Sequence, residues 1–196
     1  ALDQSLRTMG VVVGQTNRAE EVIAFLDALC ADLEQRTRGL GAEQGPLSYI
    51  GGVGQSGPHG LQSTDPSFAP FAFLRIRNAA SAPDGNGSRD HATISKEQLI
   101  VWDPDVIFID ISNLRLDGEA NAVAPLRSDP AYRTLTAVRT GQVYGVFPHN
   151  SYGRNVETVF ANAYYIGTVL YPERFSDIDP MRKAESIAEF LNGGPA

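Results

Sequence analysis

Residues 105–110, DVIFID, constrain the fold more than any other stretch of the chain. Four consecutive apolar residues stand between the two aspartates, whereas a strand with one face in water would alternate apolar and polar residues. An unbroken apolar run of this length is typical of a strand that is buried on both faces of a parallel sheet. The segment therefore predicts a sheet with helices packed on both of its faces.

The rest of the chain contains the helices and strands that such a sheet needs. Apolar residues recur at helical spacing over residues 17–38 and 155–170, which predicts two long helices. Short apolar runs in LSYIGG and GQVYGV predict two further strands. Because the strands alternate with helices, the predicted fold class is α/β, with a central, mostly parallel sheet flanked by helices and preceded by one long helix.

Three positions carry the signals of a helix start. Asn17 is followed three residues later by Glu20, and Ser95 is followed at the same spacing by Gln98, which is the spacing of a capping box. Asp179 precedes a proline, a pair that is typical of a cap and the first helical position. We expect helices to begin at all three positions.

The start of the chain predicts a shorter helix and then a boundary. One face of that helix is apolar and carries Leu2, Leu6, Met9 and Val13. Glycines after residue 38 end the long helix that follows. We expect residues 1–41 and 42–196 to form two structural units.

Charge and composition exclude several classes of protein. The net charge of −7 and the dispersed arginines argue against a nucleic-acid partner, which needs clustered cations. The single cysteine, Cys30, permits no intrachain disulfide, and we expect it to pack as a small apolar residue. No apolar run approaches the ~18 residues of a membrane span. The first residues also lack the basic and apolar regions of a signal peptide.

Residues 52–57, GVGQSG, match the pattern G-x-G-x-x-G directly after a predicted strand. In a dinucleotide-binding enzyme a helix begins inside this glycine run, and an acidic residue follows about 20 positions later. Here Pro58 follows at once, and the later region reads FLRIRN. We therefore interpret the segment as a loop that binds a ligand through Gln55, Ser56 and His59, or else as a surface loop rich in turns.

A second polar loop precedes the helix predicted at residues 155–170. It carries His149, Asn150, Tyr152 and Arg154, and an arginine close to helix amides favours an anionic ligand. In the alternative interpretation Asn150 or Ser151 is an ordinary cap and Tyr152 is a packing residue. No metal-ligand spacing is present, because the histidines lie far apart in sequence and a metal site would need tertiary assembly.

Several segments resemble one transporter-associated family. They are ISKEQLIVWDPDVIFID, LRSDPAYRTLTAVRTGQVYGV, NVETVFANAYYIGTVLYPERF and YIGGVGQSGPHGLQSTDPSFAPF. From about residue 17 onward the chain resembles the iron-chelate (siderophore-type) substrate-binding proteins of ABC transporters, which are also called helical-backbone binding proteins.

The resemblance implies two α/β lobes that are joined by one rigid helix and hold a ligand between them. It implies that the chain contains the end of the first lobe, the interlobe helix and the second lobe, and that the first lobe and a secretion signal lie outside it. The implied protein is a monomer and not an enzyme, is periplasmic or a cell-surface lipoprotein, and needs no cofactor. Its implied partners are a membrane permease and a ferric siderophore, haem or corrinoid. A direct Zn or Mn binding protein of a related class is the alternative.

The resemblance also implies which residues bind the ligand. The two loops become the wall of the cleft on this lobe, with the ligand-binding set Gln55, Ser56, His59, His149, Asn150, Tyr152 and Arg154. Tyr152 and Arg154 are the leading candidates because the family's binders use such residues against anionic chelates. Arg75 is a weaker candidate. The resemblance implies no catalytic residue and no metal ligand from the protein.

Overall fold

A three-stranded parallel sheet forms the centre of the computed structural model, which describes residues 2–41, 45–54, 59–81, 91–113, 121–148 and 155–193. Its strands are β1 (Ser48–Gly51), β4 (Val106–Asp110) and β5 (Val143–Val146), with β4 in the middle. A separate antiparallel pair consists of β2 (Ser63–Thr64) and β3 (Ala92–Thr93). The parallel strands confirm the predicted type of sheet.

β4 is buried along its whole length, as DVIFID predicts. Val106 and Phe108 belong to the apolar core on one face of the sheet, and Ile107 and Ile109 belong to the core on the other face. Alternate residues of a strand point to opposite faces, so each core receives two side chains from β4. The strand is the shared wall of both cores.

Helices cover both faces of the sheet in the described residues. They are α1 (Leu2–Val12), α2 (Thr16–Thr37), α3 (Ala69–Leu74), α4 (Lys96–Trp102), α5 (Ala124–Ser128), α6 (Thr136–Arg139), α7 (Val156–Leu170) and α8 (Pro180–Asn192). Helices α2, α3, α7 and α8 supply buried residues to the core that contains Phe108. Helices α4, α5 and α6 supply the core that contains Ile107. This arrangement confirms the predicted α/β class and the long helix before the sheet, whereas the division at residue 41 stays a prediction.

Two of the three predicted caps form. The Ser95 hydroxyl accepts from the backbone N–H of Gln98, and the Asp179 carboxylate accepts from two N–H groups at the start of α8. The capping box at Asn17 is wrong, because α2 begins at Thr16 and no side chain caps it. Glu20 instead accepts from the guanidinium of Arg7 on α1, with 2.9 Å between Nε and Oε1. The ion pair between the helices takes the carboxylate that a capping box would use.

Helix α1 contacts α2 closely but leaves most of its apolar face exposed. A Cβ atom at Gly10 would lie 2.7 Å from the Cβ atom of Ala19, so the absence of a side chain permits the close approach. Of the four predicted apolar positions, Leu6 packs against the core, whereas Leu2, Met9 and Val13 are exposed. Apolar residues at helical spacing thus predicted the helix correctly but not the burial of its face.

The C-terminal end of α2 is fixed to the α7–α8 connection by Arg36. Its guanidinium donates to both carboxylate oxygens of Asp177, at 2.6 and 2.7 Å, and its Nε donates to Asp32 at 2.9 Å. It also lies 5.2 Å from the ring centroid of Phe175. From the other side, Arg174 donates to the carbonyl oxygen of Arg36 at 2.8 Å. A bidentate pair of this kind sets direction as well as distance, so it orients the long helix on the sheet.

The Arg36–Asp177 pair should make stability depend on pH in the acid range. The guanidinium lowers the pKa of Asp177 from 3.8 to about 2, so the pair stabilises the fold fully above about pH 4 and loses this effect as the pH falls towards 2. Replacing Asp177→Asn should therefore lower the free energy of unfolding at pH 7, and the difference from the unmodified protein should shrink towards pH 2. Urea unfolding at a series of pH values measures this difference.

Glu173→Gln is the matched control, because Glu173 is an exposed carboxylate in the same connection. It should change the free energy of unfolding at pH 7 by less than ~0.5 kcal/mol. A difference between Asp177→Asn and the unmodified protein that stays the same from pH 7 to pH 2 would show that the ion pair does not stabilise the fold.

Candidate functional site

A cleft with a volume of about 570 Å³ opens beside the loop that follows β1. Its walls come from this loop, from the start of α4 and from the segment around α5 that follows β4. The lining residues are His59, Gly60, Leu61, Gln62, Ser63, Thr93, Lys96, Pro125, Asp129 and Tyr132. The cleft therefore lies where the chain leaves the carboxyl ends of parallel strands, which is the usual place for a ligand on such a sheet.

The glycine loop folds back over β1 and is held there by polar contacts. The Tyr49 hydroxyl donates to the carbonyl oxygen of Leu61 at 2.8 Å. A Cβ atom at Gly51 would lie 2.8 Å from the same oxygen, so only glycine permits this approach. In residues 52–54 and 59–68 no helix begins, and α3 starts only at Ala69. The described part of the loop agrees with the rejection of a dinucleotide fingerprint.

Two histidines meet at this loop. The rings of His59 and His91 have centroids 5.4 Å apart. The Ser63 hydroxyl donates to the carbonyl oxygen of Val53 at 2.5 Å, so it accepts from Nε2 of His91 at 2.7 Å, which places a proton on that nitrogen. Burial lowers the pKa of His91, nearby His59 lowers it further, and Asp65 opposes the shift. Sequence reasoning missed His91 in the site because 32 positions separate it from His59.

An ion pair lies on another wall of the cleft. Lys96 donates from Nζ to Oδ2 of Asp129 at 2.8 Å, and Oδ1 of Asp129 accepts from the backbone N–H of Ala131 at 2.9 Å. The ammonium also lies 5.8 Å from the ring centroid of Tyr132. The hydrogen bond to Asp129 raises the pKa of Lys96, and the same bond lowers the pKa of Asp129. Sequence analysis missed Lys96, Asp129 and Tyr132, since no local pattern links them.

The predicted binding residues are only partly covered by the structure. His59 is exposed and lines the cleft. Six others lie outside the described residues and stay predictions: Gln55, Ser56, His149, Asn150, Tyr152 and Arg154. The weaker candidate Arg75 forms an ion pair of 3.2 Å with Glu34 on α2. Of the predicted set, the structure therefore places one member in the cleft.

The start of the second predicted loop is fixed by a buried amide. Asn162 of α7 accepts from the backbone N–H of Phe147 at 3.0 Å and donates to the carbonyl oxygen of the same residue at 2.8 Å. Beside this contact lies an apolar cleft of about 180 Å³ whose lining includes Phe147, Tyr165 and Met181. The amide of Asn162 thus acts as a strand partner for Phe147 and directs the chain as it leaves β5.

The described residues contain no direct metal site. Within them, no group of three or more histidine, cysteine, aspartate or glutamate side chains is arranged to hold a metal ion. In the same part of the chain, none of the helices combines the length and the apolar character needed to cross a lipid bilayer. The described lining of the cleft offers hydrogen-bonding groups and the ion pair between Lys96 and Asp129.

The chain matches a family of known proteins. The family described as "Periplasmic binding protein" matches residues 1–148, which is most of the chain. Comparison with curated proteins gives no match.

Solved structures share the fold. The molybdate-binding protein MolA of Haemophilus influenzae, bound to molybdate, has a TM-score of 0.74 at 15% identity. The match covers 100% of this chain and 56% of the MolA chain. The periplasmic binding protein FepB of Veillonella parvula has a TM-score of 0.66 at 20% identity, and the match covers 96% of this chain and 56% of the FepB chain. An Fe3+-hydroxamate transport protein of Saccharomonospora viridis has a TM-score of 0.62 at 16% identity, and the match covers 85% of this chain and 54% of that protein. The chain thus spans little more than half the length of these proteins.

The histidine pair generates a prediction about titration. Replacing His59→Gln should raise the pKa of His91, because it removes one of the two effects that lower it, while burial remains. The opposite change, Asp65→Asn, should lower the pKa of His91 further. NMR titration of the His91 ring protons measures both shifts. An unchanged pKa in both variants would contradict the proximity of these groups.

The Asn162 contact generates a prediction about stability. Asn162→Leu keeps the branch at Cγ but leaves two backbone groups of Phe147 without this partner, so it should lower the free energy of unfolding by about 2 kcal/mol. Asn155→Ala is the control, because Asn155 makes no side-chain cap at α7 and its loss should change stability by less than ~0.5 kcal/mol. Equal effects of the two variants in urea unfolding would contradict the assigned role of Asn162.

Proposed function

We propose that this chain, which belongs to the periplasmic binding protein family, contains the interlobe helix and the C-terminal lobe of the extracytoplasmic solute-binding component of an ABC importer. Its ligand is a ferric siderophore or a related metal chelate such as haem or a corrinoid. The protein acts as a monomer and delivers the chelate to the membrane permease. It does not alter the ligand chemically.

The size of the cleft carries the proposal for a bulky ligand. Its volume of about 570 Å³ lies in the range of ~300–1,000 Å³ that holds organic ligands. A tetrahedral oxyanion or a bare metal ion occupies a small part of such a space. The lining combines Gln62, Lys96 and Tyr132 with backbone groups of the glycine loop, which suits a ligand with many oxygen atoms.

The arrangement of side chains supports a preformed chelate rather than a bare ion. A Zn or Mn site needs three or four protein ligands, and the described residues contain no such group. His59 and His91 lie next to each other, but His91 is already bonded to Ser63 through Nε2. A ligand that brings its own donor atoms to the metal does not need protein ligands.

We assign the remaining wall of the cleft to residues outside the described part of the chain. Gln55 and Ser56 extend the loop that carries His59, and His149, Asn150, Tyr152 and Arg154 follow Phe147 after β5. The related structures are longer than this chain, so we assign the opposite wall to a second lobe of the same kind. A chelate held between the two would bury most of its surface.

The test titrates the complete gene product with ferric hydroxamate, ferric catecholate, haem and a corrinoid, and with Zn, Mn and molybdate. We expect stoichiometric binding of at least one metal chelate, measured by calorimetry. If Zn or Mn binds and every chelate fails, the protein is the direct metal binder of the alternative. If only molybdate binds, the ligand is an oxyanion and the chelate proposal is wrong.

Two substitutions test the assigned wall. Tyr152→Ala and Arg154→Ala should each weaken binding of the best chelate by about 10-fold, equal to about 1.4 kcal/mol, because each removes a polar contact to the ligand. Arg139→Ala removes an exposed charge on α6 and should leave the affinity unchanged. Unchanged affinity in the first two variants would remove both residues from the site.

A further inference from the structure

We propose that Lys96 and Asp129 form an exchangeable ion pair that makes the cleft selective for anionic chelates. In this proposal an anionic oxygen of the ligand replaces Asp129 as the partner of the Lys96 ammonium. The inference rests on the proposed function and specifies the charge class of its ligand.

The composition of the cleft supports this role. Among the described residues that line it, Lys96 is the one lysine or arginine and Asp129 is the one carboxylate. Their side chains are 36% and 29% exposed, so a ligand in the cleft can reach both. No other fixed charge in the described lining competes with this pair for the ligand.

The ammonium of Lys96 is positioned before a ligand arrives. Asp129 holds it at 2.8 Å and is itself held by the backbone N–H of Ala131. The ring of Tyr132 lies 5.8 Å away, so the ammonium also gains a cation–π contact. A long lysine side chain otherwise loses much rotational freedom on binding, and these contacts reduce that loss.

The pair can exchange partners because it is partly exposed. An ion pair in contact with water contributes little net stability, so replacement of one carboxylate by another anion costs little. An ammonium group has three donor hydrogens, and Asp129 accepts one of them. The carboxylate raises the pKa of Lys96, so the side chain is a cation before the ligand arrives.

The two members of the pair should have opposite effects on an anionic ligand. Lys96 attracts it, whereas Asp129 repels it and competes for the same ammonium. A neutral chelate of similar size should respond weakly to either charge. A variant that had lost its structure would bind every ligand more weakly. Opposite changes in affinity on replacing Lys96 and Asp129 would therefore not result from a loss of structure.

The experiment measures the affinity of the complete gene product for a ferric tris-catecholate, which is anionic, and for a neutral ferric trihydroxamate. Lys96→Gln should weaken binding of the anionic chelate by about 10-fold and change the neutral one by less than about 2-fold. Asp129→Asn keeps the side-chain oxygen that accepts from the backbone N–H of Ala131 but removes the competing negative charge. It should strengthen binding of the anionic chelate by about 3-fold. Lys96→Arg should retain most of the affinity.

Arg133→Gln is the matched control, because it removes one exposed positive charge next to Tyr132 without changing the cleft lining. It should leave both affinities unchanged, and thermal unfolding verifies that every variant is folded. Equal weakening of both chelates by Lys96→Gln, or weakening of the anionic chelate by Asp129→Asn, would overturn the inference while the proposed function stands. Failure of the unmodified protein to bind any metal chelate would overturn the proposed function itself.

Discussion

The burial of β4 on both faces is the constraint on which the rest of the structure depends. A strand with Val106 and Phe108 in one core and Ile107 and Ile109 in the other is stable only between two layers of helices. The parallel strands on either side then run in the same direction, so the chain leaves all three at one edge of the sheet. The cleft forms at this edge because the loop after β1 and the segment after β4 meet there.

Much of this fold follows from local sequence patterns, and the exceptions have a common physical cause. The apolar run in β4 and the caps at Ser95 and Asp179 depend on residues close in sequence, and all are confirmed. The capping box at Asn17 fails because α2 begins one residue earlier, and Glu20 pairs instead with Arg7 on another helix. Contacts between elements commonly override a local signal.

The candidate site was less predictable than the fold for the same reason. His59 could be proposed because a glycine-rich loop after a strand is a local signal, and it does line the cleft. Lys96 and Asp129 are 33 positions apart, and His91 reaches Ser63 across 28 positions. Nothing in the residues around each one indicates its partner. The loop with Tyr152 and Arg154 lies outside the described residues, so its role stays a prediction.

The contact between Asn162 and Phe147 has a consequence for how the sheet and its helices respond to a force. Because a side chain on α7 pairs with both backbone groups of Phe147, the end of β5 is tied to the helix packed behind it. A shift of α7 along its axis would therefore pull the end of the strand with it. Strand end and helix form one mechanical unit.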